Sequence, residues 1–222
     1  MSTFDWPANL VPLNIDIRPP RETAGLTTSL SGKTQAELVP RPPFSVTMEF
    51  DELHGDEVLA WRAILGLLEG RSNTVRLPIF DLWYRASDAQ IRGGVVPHSD
   101  GTFFSDGTGY ATRDLSGVNV TGVQGQRNVT ADFGDYGQLL QAGQYFGLGD
   151  YPYLATGVWW EGNVATIRTS PTLRDDFTDE ALRLKPVMIG RLSDDDGGAL
   201  MLKGLYNGAP SITFIEDEDD DA

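Results

Sequence analysis

The sequence predicts a mainly β protein: an antiparallel β-sandwich or barrel with one α-helix, at about 56–70, packed on an N-terminal sheet, plus a second small barrel-like region. Gly (25) and Pro (13) are abundant, which is typical of many strands joined by turns. Apolar residues alternate over 44–50, and short apolar stretches recur at turn-like spacing from 118 onwards. This pattern favours a sandwich or barrel.

The first 43 residues predict a Pro-rich N-terminal arm. Its prolines are Pro7, Pro12, Pro19, Pro20, Pro40, Pro42 and Pro43. Each proline removes a backbone donor and fixes φ, so the arm cannot be a central strand throughout. We expect an extended edge or a docking segment here, with a short strand over 26–30 and a turn over 31–33.

Residues 44–84 predict the β-α-β part of one domain. Every second residue from Phe44 to Phe50 is apolar, which places these side chains on one face of a strand. The helix over 56–70 has Asp56 as its N-cap and Gly70 as its C-terminal stop. Its apolar residues recur at three- and four-residue steps: Val58, Trp61, Ile64, Leu65 and Leu68. A strand over 74–80 follows, and a lone helix on an antiparallel sheet is favoured over a parallel crossover.

The rest of the chain predicts three segments. Residues 85–117 lose periodicity and predict a long polar loop or a loose hairpin. Residues 118–215 predict a barrel or sandwich region that completes the fold, with Gly162-Asn163 as a hairpin turn. Its predicted strands are 118–123, 127–133, 143–148, 154–160, 163–169, 185–192, 199–205 and 210–215. Residues 216–222 predict a solvated, disordered acidic tail.

Charge and hydropathy exclude several classes of partner. The formal net charge is −15, with 17 Lys and Arg against 32 Asp and Glu. Proteins bind the phosphate backbone of nucleic acids through clusters of Lys and Arg. The sequence shows no such cluster, so we expect no direct binding of nucleic acid. The negative charge would suit a channel surface that DNA passes without binding, because such a surface repels the phosphate backbone. No stretch is long and apolar enough for a membrane span, and the N-terminus lacks the pattern of a secretory signal. We expect a soluble protein made in the cytoplasm.

Residues able to support catalysis are scarce. The chain has no cysteine and only two histidines. The run His98-Ser99-Asp100 has the residue types of a nucleophilic relay, but adjacent side chains point apart. His54, just before the predicted helix, is more simply a loop or cap residue. We therefore predict that the chain is not an enzyme and has no catalytic, cofactor-binding or metal-binding residues.

Two weaker possibilities stay open. The acidic turns at 194–198 and 100–107 offer oxygen ligands beside glycines, but neither matches a calcium-binding loop. An ordinary acidic turn is favoured there, and a weak Ca²⁺ site is the alternative. Trp159-Trp160, near Tyr151 and Tyr153, could form a sugar-stacking platform. Because neighbouring strand residues face opposite sides, one core Trp and one exposed interface anchor is the favoured interpretation.

Several blocks, in their order along the chain, resemble a known family. They are 29–35 (SLSGKTQ), the strand ending at Phe50, 57–70 (EVLAWRAILGLLEG), 76–78 (RLP), 124–126 (QGQ), 140–146 (LQAGQYF) and 167–174 (IRTSPTLR). Together they resemble the tail-tip proteins of long-tailed bacteriophages, of the distal-tail or baseplate-ring kind. The long 85–117 segment and the acidic tail depart from the family pattern. The resemblance carries over no functional residues.

This resemblance implies a β-sheet ring domain bearing one helix, and a smaller β-barrel or galectin-like domain. It implies a structural virion protein of the tail tip, in a homo-oligomeric ring, usually a hexamer. Its expected partners are itself, the tail tube protein, the tail hub protein and a tail fibre or receptor-binding protein. The alternatives are another phage structural role (head decoration, tail terminator or tube) and a carbohydrate-binding β-sandwich module.

Overall fold

The computed structural model describes residues 1–20, 23–29, 31–32, 34–38, 42–79, 95–96, 102, 105, 110–111, 117–203 and 207–217. The chain divides into two compact units, Met1–Phe80 with Val187–Ala222, and Asp81–Pro186. In chain order the elements are β1 (Thr3–Asp5), β2 (Asn14–Arg18), β3 (Thr23–Thr28), β4 (Thr34–Leu38), β5 (Ser45–Glu49), α1 (Asp56–Leu68), β6 (Thr74–Pro78), β7 (Val95–Val96), β8 (Tyr110–Ala111), β9 (Asn119–Gly122), β10 (Asn128–Asp132), β11 (Tyr145–Leu148), β12 (Tyr151–Glu161), β13 (Val164–Ser170), β14 (Phe177–Arg183), β15 (Val187–Leu192) and β16 (Ser211–Glu216). The predicted mainly β fold with one helix is confirmed for the described residues.

The first unit is built on a six-stranded sheet in the order β1-β6-β15-β16-β5-β2. β1 runs parallel to β6, and every other neighbouring pair is antiparallel. The strands on either side of the helix in sequence, β5 and β6, are separated in the sheet by β15 and β16. The helix therefore does not connect neighbouring parallel strands. This agrees with the sequence, which favours a lone helix on an antiparallel sheet over a parallel crossover.

One face of this sheet is covered by α1. The alternating side chains of the β5 region, from Phe44 to Phe50, are buried, as predicted. Trp61 lies at the centre of the contact: its indole meets the ring of Phe50 at 4.9 Å between centroids, nearly edge to face. Its Nε1–H donates to the carbonyl oxygen of Gly198 over 2.9 Å. The apolar stripe of the helix thus packs on the sheet face that β5 supplies.

The helix ends differ slightly from prediction. The N-cap is Gly55, with φ of 52°, and Asp56 is the first helical residue. Glu69 already adopts the left-handed conformation, with φ of 48°, one residue before Gly70, whose φ is 66°. Two successive left-handed residues end the helix, so the predicted stop at Gly70 begins one residue earlier.

The second unit is a closed six-stranded barrel in the order β10-β13-β12-β11-β14-β9, with β9 pairing back to β10. The hairpin between β12 and β13 turns at Gly162-Asn163, as predicted, and Gly162 has φ of 64°. The barrel interior is filled by apolar side chains, including Tyr153, Phe146 and Ile167, all fully buried. β12 carries a bulge between Ala155 and Gly157.

The region 118–215 does not form one unit, which corrects the sequence interpretation. β15 and β16 pair with β6 and β5, and therefore complete the first sheet rather than the barrel. The barrel instead uses β14, for which no strand was predicted. No strand lies in the described part of 199–205; Lys203 forms only an isolated bridge with Asn207. Pairing between segments that are distant in sequence places β15 and β16 in the first sheet, and local periodicity carries no information about such pairing.

Other predicted segments also differ in detail. The arm contains β1 and β2, which form the two edges of the sheet, and the hairpin of β3 and β4. The predicted strand at 26–30 corresponds to β3, which begins and ends earlier. Within 85–117, β7 and β8 pair antiparallel, and most of the predicted loop lies outside the described residues.

The first two residues of the predicted acidic tail make specific contacts in the first unit. Glu216 is the last residue of β16 and is buried, with its Oε2 accepting the backbone N–H of Phe44 over 2.8 Å. Asp217 pairs with Arg191 through Oδ2 and Nη2, which are 2.6 Å apart. Specific partners therefore overcome the repulsion within the acidic run at these two positions. Residues 218–222 lie outside the described residues.

Candidate assembly surface

An exposed apolar run leads into the edge strand β2: Val11 and Leu13 lie before the strand, and Ile15 and Ile17 lie within it. Val11, Leu13, Ile15 and Ile17 occupy every second position. Val11 and Leu13 are 64% and 65% exposed, and the two isoleucines are half-buried. Ile15 lies opposite Met48 on β5, so its side chain shares the sheet face covered by the helix. We define the edge surface as Val11, Leu13, Ile15 and Ile17.

The outer side of β2 has no strand neighbour among the described residues, because the strand order of the sheet ends there. A depression of about 410 Å³ is lined by the last residues of β2, Asp16, Ile17 and Arg18, together with Pro19. An edge strand presents unpaired N–H and C=O groups that another chain can extend. The outer side of β2 therefore combines backbone groups suited to pairing with an apolar stripe.

The same strand carries features that discourage indiscriminate pairing. Asp16 and Arg18 occupy the other face of β2 and form an ion pair of 2.8 Å between Arg18 Nε and Asp16 Oδ2. Both side chains are mostly exposed, so the pair contributes at most about 1 kcal/mol. Charges and flanking prolines such as Pro12 and Pro19 are common ways to protect a strand edge. A partner strand must therefore match both an apolar and a charged face.

The outer face of α1 is also apolar. Leu59 and Leu67 are 61% and 45% exposed, and Ala63 and Gly66 between them are exposed as well. Their spacing places all four on one side of the helix. Arg62 is the charged neighbour in this stretch. We define the helix surface as Leu59, Ala63, Gly66 and Leu67; contiguous exposed apolar area of this kind marks interaction sites.

Sequence reasoning missed the edge surface although its signal was present. The run Val11-Pro12-Leu13-Asn14-Ile15-Asp16-Ile17 alternates apolar and other residues with the period of a strand. The prolines in and beside this run, however, are typical of an irregular arm. The helix surface was missed because the apolar periodicity of a helix indicates only its buried stripe. It carries no prediction for the opposite face, where Leu59 and Leu67 lie.

Of the two histidines, the described residues include His54. His54 is exposed in the loop before α1, and its backbone N–H donates to Oε2 of Glu57 over 3.0 Å. The N–H of Glu57 donates in turn to the carbonyl oxygen of His54. His54 therefore lies in the loop that leads into α1, one residue before the N-cap Gly55. His98, Ser99 and Asp100 lie outside the described residues.

The acidic turn at 194–198 has structural roles. Asp195 Oδ1 accepts the backbone N–H of Arg71 over 3.1 Å, and Asp194 Oδ2 accepts a hydrogen bond from Ser193 Oγ. The described part of the chain holds no group of three or more His, Cys, Asp or Glu side chains arranged for a metal ion. The second acidic turn, at 100–107, lies almost entirely outside that part.

The Trp pair divides as predicted. Trp159 is 56% exposed on the outside of the barrel. Its ring lies over Gly157, where a Cβ atom would approach Cη2 of the indole to 2.7 Å. Trp160 packs against the barrel core and meets Phe133 at 5.0 Å between ring centroids.

No helix in the described ranges has the length and apolar character needed to cross a bilayer. No protein-family model matches the chain, and a search of curated proteins finds no match either.

Proposed function

We propose that the chain is a structural virion protein of a phage tail tip, which forms a ring that joins the tail tube to the hub and receptor-binding parts. It acts by docking against copies of itself and against neighbours, and no side chain makes or breaks a covalent bond. The observation that carries the proposal is the edge surface of β2. An edge strand that has no strand neighbour on its outer side among the described residues, and that follows the exposed Val11 and Leu13, is suited to pairing with another subunit.

The helix surface supports the same proposal. Leu59 and Leu67 leave apolar area in water, where burial would contribute roughly 25 cal/mol for each Å² removed from solvent. A ring needs heterologous interfaces, in which two different surfaces of one subunit meet across each contact. The edge surface and the helix surface supply two such regions on the first unit.

The architecture and the charge are compatible with the resemblance. The family implies a helix-bearing sheet and a smaller barrel in one chain, and both occur here. The net charge of −15 would repel DNA from a lumen rather than grip it. The proposal assigns the chain to the virion, after synthesis in the host cytoplasm.

Native mass spectrometry of the full chain, over a range of concentrations, tests this proposal. We expect a closed oligomer, with six copies as the resemblance implies, that dissociates in the double variant Val11→Lys, Leu13→Lys. The matched control is Val123→Lys on the barrel, since Val123 is 58% exposed and lies outside the edge surface. A wild-type chain that stays monomeric at hundreds of micromolar, or an oligomer that the double variant leaves intact, contradicts the proposal.

A further inference from the structure

The barrel carries a depression that the assembly function does not use. It has a volume of about 400 Å³ and lies between strand β12 and the segment 138–142. Its lining residues are Gln138, Leu140, Gln141, Ala142, Val158 and Trp160. Binding sites for small ligands range from about 300 to 1,000 Å³, so this depression is large enough for one or two small ring compounds.

Two neighbours fix the walls of the depression. Gln138 Nε2 donates to the carbonyl oxygen of Gly162 over 3.2 Å, which holds this amide beside the β12–β13 turn. Trp160 is half-buried and is held by Phe133, whose ring plane is inclined at 62° to the indole. Leu140 is fully buried in the barrel core. The indole and the Gln138 amide are therefore positioned without a ligand.

The described lining residues are uncharged. They supply two carboxamides, an indole and small or aliphatic groups, and none of the six residues is acidic or basic. A carboxamide both donates and accepts hydrogen bonds, as do the hydroxyl groups of a sugar. An indole offers a flat apolar surface, against which the C–H face of a pyranose ring can pack. An anionic ligand would find no cation among the described lining residues and would approach a chain of net charge −15.

We propose that this depression binds a neutral saccharide unit, with Trp160 as the stacking surface and the Gln138 and Gln141 amides as partners of the sugar hydroxyls. This is a ligand-binding activity of the barrel, separate from the docking of β2 and α1. On a virion it would place a neutral glycan of the host surface against the barrel.

The test is saturation-transfer NMR and titration calorimetry on the full chain. The probes are three neutral tetrasaccharides (maltotetraose, cellotetraose and chitotetraose) and one acidic probe, a hyaluronan tetrasaccharide. We expect at least one neutral probe to bind and the acidic probe not to bind. Trp160→Ala should weaken binding at least about tenfold, which corresponds to about 1.4 kcal/mol.

Two further variants separate loss of the site from loss of the fold. Ala142→Leu fills the depression from its exposed rim and keeps Trp160 in place, so it should weaken binding while the circular dichroism spectrum and melting temperature stay unchanged. Trp159→Ala removes the neighbouring indole on the outer face and should leave affinity unchanged. The assignment is overturned if no neutral probe binds at 10 mM, if the acidic probe binds best, or if Trp159→Ala abolishes binding while Ala142→Leu does not.

Discussion

Replacing Trp61 by phenylalanine separates two contributions that this side chain makes to the first unit. Trp61 is fully buried, and its ring meets Phe50 at 4.9 Å and Trp6 at 6.2 Å between centroids. Its Nε1–H is hydrogen-bonded to the carbonyl oxygen of Gly198 at 2.9 Å. Phenylalanine keeps an aromatic ring in the core but has no donor and a smaller volume.

The expected loss of stability follows from these contacts. A buried carbonyl oxygen that loses its partner costs about 1–3 kcal/mol, and the smaller ring adds part of a cavity penalty. We expect Trp61→Phe to reduce the free energy of unfolding by about 2–4 kcal/mol, and Trp61→Ala to reduce it by about 3–5 kcal/mol. In a chain of this size each kcal/mol shifts the melting temperature by about 2–4 °C.

Urea unfolding followed by far-ultraviolet circular dichroism measures the change without relying on tryptophan fluorescence. The matched control is Trp159→Phe, because Trp159 is 56% exposed and lies in the barrel; it should change stability by less than about 0.5 kcal/mol. If the two units unfold in separate transitions, the loss of stability should appear only in the transition of the first unit, which contains Trp61. A Trp61→Phe variant as stable as the wild type would refute the assigned role of the Gly198 hydrogen bond.

Three more substitutions test other features of the structure. Arg191→Met removes the partner of a largely buried Asp217 carboxylate, so urea unfolding should show a loss of about 1–3 kcal/mol, and adding Asp217→Asn should cost less than the sum of the single changes. Gly122→Ala places a Cβ atom 2.5 Å from Leu173 Cδ1, and thermal unfolding should show a loss of about 1–3 kcal/mol; an unchanged melting temperature would contradict this packing. Gly66→Ala meets nothing within 4 Å inside α1 and should stabilise the chain by about 0.5–1 kcal/mol, whereas a lower melting temperature would mean that a neighbour already occupies that space.

Local periodicity predicted the elements that bury one regular face. The alternation from Phe44 to Phe50 and the helical spacing around Trp61 both reflect a single covered side, so the sequence alone was sufficient. β14 was missed because its register shifts between Phe177 and Glu180, and Asp179 has φ of 56°. A bulge of this kind breaks the two-residue period on which strand prediction depends.

Local sequence patterns do not predict which strands pair when the strands are far apart in sequence. β15 and β16 follow the barrel strands closely in sequence, yet they lie between β6 and β5. Glu216 belongs to a run of like charges, but in the fold it accepts the N–H of Phe44, 172 residues away in sequence. The sheet order is needed to see that β2, which follows Val11 and Leu13, is an outer strand.

Hydrogen–deuterium exchange on the full chain, at concentrations below and above its self-association, tests the central claim most directly. If a neighbouring subunit seals the edge of β2, peptides covering 11–18 should become protected as the oligomer forms, while barrel peptides around 123–127 exchange at the same rate in both states. An oligomer whose β2 amides exchange as fast as those of the monomer would contradict docking at this edge.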